Sequence, residues 1–150
     1  MTEVLFYHLQ RQPLEAVLPT LVEKSVERGW RVAIEVPGEE RMTALDDHLW
    51  TYKDDGFLPH CTDREPDCAH EPVLLTTGSA NLNNADIRFL VDGASVGDDA
   101  AGYQRIVLMF DGTDDVALSR AREEWRKVRA MGLEATYWQQ DDNGRWSKKG

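Results

Sequence analysis

What most constrains this chain is the alternation of short apolar segments with one strongly amphipathic stretch. The segment 4-VLFYHL-9 reads as a buried strand. Pro13 is suited to open a helix. Leu14, Val17, Leu18, Leu21 and Val22 then follow the i, i+3, i+4, i+7, i+8 pattern, with Val26 continuing the stripe. Gly29 stands where a helix C-cap belongs, and 30-WRVAIEV-36 reads as the next strand. This β–α–β order predicts two parallel, neighbouring strands joined by a right-handed crossover.

The rest of the chain repeats the theme. A helix is expected over about 39–49, with Met42, Leu45 and Leu49 on one face. Strands are expected at 73-VLLTT-77, 86-DIRFLV-91, 105-RIVLMF-110 and 134-EATYWQQ-140. The stretch 92–102 is a loop, and the end of the chain is a polar tail. Asp114 or Asp115 is placed to cap a long helix reaching Met131 and closed by Gly132. At 150 residues the chain is long enough for one α/β domain over 1–150: a Rossmann-like three-layer arrangement with a mostly parallel mixed sheet flanked by helices.

A net charge of −10 argues against nonspecific nucleic-acid binding, because phosphates need a basic field; any contact with DNA is expected to be indirect. No apolar run approaches the roughly 18–20 residues of a membrane helix. The N-terminus, MTEVLFYHL, is acidic where a signal peptide is basic, so a cytoplasmic protein is expected. Two cysteines make no disulfide framework and are expected to be free thiols.

Signals for chemistry are sparse. There is no G-x-G-x-x-G after the first strand, no phosphate-binding P-loop and no G-x-S-x-G elbow. The segment 60-HCTDREPDCAH-70 concentrates four potential metal ligands: His60, Cys61, Cys68 and His70. Two of them are adjacent and two lie one residue apart. Neither spacing suits chelation of a tetrahedral ion, and the composition between them is that of a solvated loop. No metal and no cofactor are therefore expected. The acid-rich 97-GDDA-100 and 111-DGTDD-115 read as a loop and a helix cap rather than a cation site. His8 and His48 have no partner assignable from the sequence.

The helix beginning at 114 carries the clearest pattern. At 100° per residue, Ala117, Ala121 and Val128 form a core stripe, while Arg122, Arg126 and Arg129 line one ridge. Trp125 and Leu118 fall between the two. The ridge is either a solvated basic face or a site for an acidic peptide. In the second reading arginines take carboxylates and the bordering aromatic anchors an apolar side chain.

The segments 5-LFYHL-9, 45-LDDHLW-50, 57-FLPH-60 and 121-AREEWRKVRAMG-132, in this order, resemble the chi subunit of bacterial DNA polymerase III. The resemblance runs over nearly the whole chain. It implies a Rossmann-like fold without nucleotide chemistry and a non-catalytic accessory of the replicase. Such an accessory links the clamp-loader complex to the single-stranded-DNA-binding protein by holding that protein's acidic C-terminal tail. Carried over by motif, the tail site falls on Arg122, Trp125 and Arg126, with Arg129 beside them. A second surface, at Trp50, Phe57 and Leu58, is implied for the psi subunit or a helicase. Tryptophan stands at 125 where the family often has tyrosine, and Leu118 where a basic residue is sometimes found. Two other classes remain open on the residues alone: a zinc-binding or redox protein using the 60–70 segment, and a nucleotide-binding α/β enzyme lacking a fingerprint.

Overall fold

The computed structural model describes residues 2–10, 12–51, 60–65, 67–78, 80–97, 100–140 and 145–149, with the side chains of Trp50 and Thr51 outside that set. The elements run β1 (Glu3–Leu9), α1 (Leu14–Glu27), β2 (Val32–Glu35), α2 (Glu39–Thr51), β3 (Cys61–Thr62), β4 (Val73–Thr76), β5 (Ile87–Leu90), β6 (Arg105–Asp111), α3 (Asp115–Ala130), β7 (Glu134–Gln140) and β8 (Trp146–Lys148). They build one sheet in the order β3-β4-β2-β5-β6-β1-β7-β8. Every pairing is parallel except β7 with β8. The three-layer α/β class is the one expected.

Side-chain alternation along the strands divides the core in two. On β1, Leu5 and Leu9 pack with α1 and α2, whereas Val4 and Phe6 pack with Ala121 and Val128 of α3. On β6, Val107 and Met109 face the first layer, and Ile106, Leu108 and Phe110 face the second. This double burial is why these strands read as continuous apolar runs.

The helix boundaries have local causes. The Asp114 carboxylate accepts hydrogen bonds from the Val116 and Ala117 amides and so caps α3. Gly132 (φ +78°) and Gly29 (φ +85°) end α3 and α1 in the left-handed conformation. After α1, Trp30 N–H donates to the Ser25 carbonyl and Gly29 N–H to that of Val26; Leu133 and Gly132 repeat the pattern on Val128 and Arg129 after α3. Both ends are Schellman closures. Pro19 lies inside α1 and has no N–H to offer the Glu15 carbonyl. His48 Nε2, from α2, donates to that carbonyl at 2.7 Å, which ties the two helices together and gives His48 a role.

Three expectations are corrected. First, β1 and β2 are parallel but not neighbours. β1 lies between β6 and β7, β2 lies between β4 and β5, and β5 and β6 separate them. The intervening strands carry Phe89, Leu90 and Ile106–Phe110, which need cover on both faces and so take the middle of the sheet. Second, 60–70 is not simply a solvated loop. His60, Thr62 and Cys68 are buried, and Cys61–Thr62 form the edge strand β3 against β4. Third, the polar tail contains β8, whose Trp146 packs on Tyr7 with ring centroids 4.6 Å apart. At two and three residues, β3 and β8 are too short to show any period.

Candidate functional site

The α3 ridge sits over an aromatic floor supplied by three strands. Phe6 of β1 pairs in register with Tyr137 of β7, and His8 of β1 pairs with Phe110 of β6. Register partners share a face of the sheet, so Phe6, His8, Phe110 and Tyr137 all project toward α3. Trp125 descends from the helix onto them. Its ring centroid lies 5.2 Å from that of Phe6, in an edge-on contact, and 6.4 Å from that of Tyr137. Phe6, Phe110, Leu118, Ala121, Arg122, Trp125, Arg126 and Tyr137 enclose a pocket of about 370 Å3.

The pocket is apolar below and cationic at its rim. Arg122 and Arg126 are exposed, Leu118, Trp125 and Tyr137 are half-buried, and Phe6 and Ala121 are buried. Among the described residues no carboxylate forms an ion pair with Arg122, Arg126 or Arg129. Glu124, which lies between Arg122 and Arg126 in the chain, is engaged elsewhere: its carboxylate accepts from Val96 N–H at 2.7 Å. Lys127 donates to the Val96 carbonyl, so both side chains hold the backbone at Val96 against α3. Burial pushes the Tyr137 hydroxyl above the usual tyrosine range, and the Arg122 charge opposes that shift. Such a site can hold an apolar side chain in the pocket while its rim takes anionic groups.

Of the residues read from the sequence, Arg122, Trp125 and Arg126 are brought together at this pocket. Arg129 continues the exposed ridge without lining it. Phe6, Phe110 and Tyr137 were missed as site residues. Strand alternation could have placed them on one face, but only with the strand order known. The other implied surface, at Trp50, Phe57 and Leu58, lies outside the described residues: α2 carries the Trp50 backbone, its side chain is not described, and neither are Phe57 and Leu58. His60, which follows them, is buried and contacts Asp46 of α2 at 3.0 Å.

The Cys/His segment has a different character. The Cys61 thiol donates to the Cys68 carbonyl, and burial pushes it up to about 12, with further upward contributions from Cys68 and nearby carboxylates. A thiol held that high is a poor nucleophile at neutral pH. Among the described residues no group of three or more His, Cys, Asp or Glu side chains is arranged to hold a metal ion. None of the described helices is long and apolar enough to cross a membrane.

A second, larger cavity of about 860 Å3 lies at the carboxyl ends of β1 and β6, between the starts of α1 and α3. In doubly wound sheets this is the usual side for ligands. Its lining carries Glu15, Asp92, Asp111, Asp114, Glu123 and Glu124 against Arg41 and Arg120. Arg41 is already committed to Glu15 and Asp92.

The chain is similar to known proteins over much of its length. Over 96 residues, 64% of its length, the chain is 24% identical to a probable DNA polymerase III subunit chi of Rickettsia prowazekii. Over 90 residues, 58% of its length, it is 31% identical to DNA polymerase III subunit chi of Pseudomonas aeruginosa. The matched segments span 58% and 62% of those relatives' own lengths. The family model described as DNA polymerase III chi subunit, HolC, matches residues 1–136, which takes in α3 and the start of β7. With nearly the whole chain matched in this way, the protein belongs to the DNA polymerase III chi subunit family.

Proposed function

We propose that this chain is a non-catalytic accessory subunit of the DNA polymerase III holoenzyme. It links the clamp-loader complex to the single-stranded-DNA-binding protein by holding that protein's acidic C-terminal tail on the flank of α3. The observation that supports this most directly is an apolar pocket rimmed by two arginines with no carboxylate partner among the described residues. On a chain of net charge −10 such a rim is a local inversion of sign, which favours an acidic segment over an apolar one. In this reading Arg122 pairs with the terminal α-carboxylate, and Trp125 and Tyr137 enclose the terminal phenylalanine. Arg126 faces the aspartates, and Arg129 adds long-range attraction. A second partner, the psi subunit or a helicase, takes the surface around Trp50, Phe57 and Leu58.

The test is a titration of a labelled acidic peptide ending in Asp-Leu-Pro-Phe against the wild type, Arg122→Ala and Arg129→Ala. A charge-assisted contact contributes about 1.5–3 kcal/mol, so Arg122→Ala should lose roughly tenfold or more in affinity. Arg129→Ala should lose less, mainly at low salt. Amidating the peptide should reproduce the Arg122→Ala loss in the wild type and cost little further in the variant. Wild-type binding indifferent to both changes would return the ridge to a solvated basic face.

A further inference from the structure

Behind the pocket sits a side chain that the peptide would not touch. The His8 imidazole lies 5.2 Å from the Phe110 ring and 5.8 Å from the Tyr137 ring, centroid to centroid. Its Nδ1 shares a hydrogen bond with the hydroxyl of Tyr137, which belongs to the pocket lining. The imidazole reaches this position through room left by Gly112. A Cβ at residue 112 would fall within the van der Waals envelope of the His8 ring. The backbone there has little freedom to retreat, because Gly112 N–H donates to the Leu9 carbonyl at 2.7 Å. Gly112 is not in the left-handed region, so the glycine is needed for space and not for φ. Burial draws His8 below the ordinary histidine range, with Asp111 opposing, so the ring is mainly neutral at physiological pH and adds little charge near Arg122.

We infer that His8 is a positioning residue of the α3 pocket: in the space that glycine at 112 leaves, it holds the Tyr137 hydroxyl and so fixes the ring that walls the site. This rests on the peptide reading above, and it adds two residues that lie outside the ridge and outside the pocket lining. Packing alone would leave Tyr137 in looser ring contacts, tilted at 6.2 Å from Phe110 and edge-on at 6.4 Å from Trp125. The hydrogen bond selects one orientation among those that packing permits.

The test is a set of coupled variants titrated with the same peptide. His8→Ala and Tyr137→Phe should each weaken binding about three- to tenfold, the span of one lost hydrogen bond. The double variant should lose no more than His8→Ala alone, because both changes remove one contact. Gly112→Ala should weaken binding in the wild type and cost nothing further in a His8→Ala background, where the ring it collides with is gone. Fully additive losses, or wild-type affinity in both His8→Ala and Tyr137→Phe, would overturn the inference; Tyr137→Phe serves if His8→Ala fails to fold. A measurement without peptide separates this from the parent reading. The nuclear Overhauser contact between the Tyr137 ring and the Trp125 indole should be strong in the wild type and weakened in His8→Ala. If the wild type does not bind peptide, the tail-binding reading fails. The Overhauser contact then decides the positioning alone, and an unchanged contact in His8→Ala overturns it.

Discussion

The two cavities that flank α3 differ in a way that fold-level reasoning reverses. The larger one lies at the carboxyl ends of β1 and β6, where open α/β sheets ordinarily take their ligands. Yet carboxylates outnumber arginines in its lining, and Arg41 is already held between Glu15 and Asp92. The smaller cavity lies along the flank of the helix, where the topology gives no reason to look. Its rim arginines have no carboxylate partner among the described residues, and its floor is aromatic. Phe110 and Ala121 line both, so a single helix turn divides two environments of opposite sign. On the proposed function, what separates the two cavities is the sign of the charge around them, not volume or place in the fold.

That contrast is open to direct attack. The largest effect is expected at Trp125. Trp125→Ala removes the helix-borne wall of the small pocket and should cost the acidic peptide about 2–3 kcal/mol, roughly thirty- to hundredfold, as buried aromatic anchors do. Circular dichroism should show the helices intact; peptide affinity unchanged beside an intact fold would remove the small pocket from consideration. Next is Arg41→Ala, on the other side. It breaks two partly exposed ion pairs and should lower stability by about 1 kcal/mol while leaving peptide affinity unchanged. The hydrogen bond from Arg41 holds the Glu15 carboxyl below its usual range. That share of stability is present above the unfolded glutamate pKa and is lost as pH falls through the folded value. Thermal melts of wild type and variant should therefore converge toward acid, and convergence toward alkali would contradict the pairing. The smallest effect is expected from Leu118→Lys, which extends the cationic rim by one turn. It should tighten the acidic peptide up to about threefold at low salt, with the gain fading as salt screens it. The gain is limited because Leu118 itself lines the apolar pocket.

The fold was largely legible because double-sided burial writes itself as continuous apolar runs, as in 105-RIVLMF-110, and because glycines 29 and 132 mark helix ends. Strand order was not legible. The neighbour rule for a β–α–β unit placed β1 beside β2, and nothing local reveals that β5 and β6 come between them. The site divides in the same manner. Arg122, Trp125 and Arg126 share a helix, so a wheel drawn from sequence brings them together. Phe6, Phe110 and Tyr137 come from strands far apart in the chain and meet only through sheet register. His8 and Gly112 are further still from sequence reasoning, since a glycine kept for room leaves no pattern. His48 was equally silent, because its task is to replace an amide hydrogen that Pro19 lacks.

The sheet's two margins bear on how any flexible ligand can be read. One margin is β3, two residues long; the other is β8, three residues long and carrying Lys148. Margins this short present few main-chain groups to an incoming strand. An extended ligand therefore gains little by zipping its backbone onto β3 or β8. On the proposed function, recognition then runs from the terminus inward: a chain end, its last side chain and the charges just before it. A reader of that kind is indifferent to how long the tether behind the end is, and blind to the same residues when they occur in mid-chain.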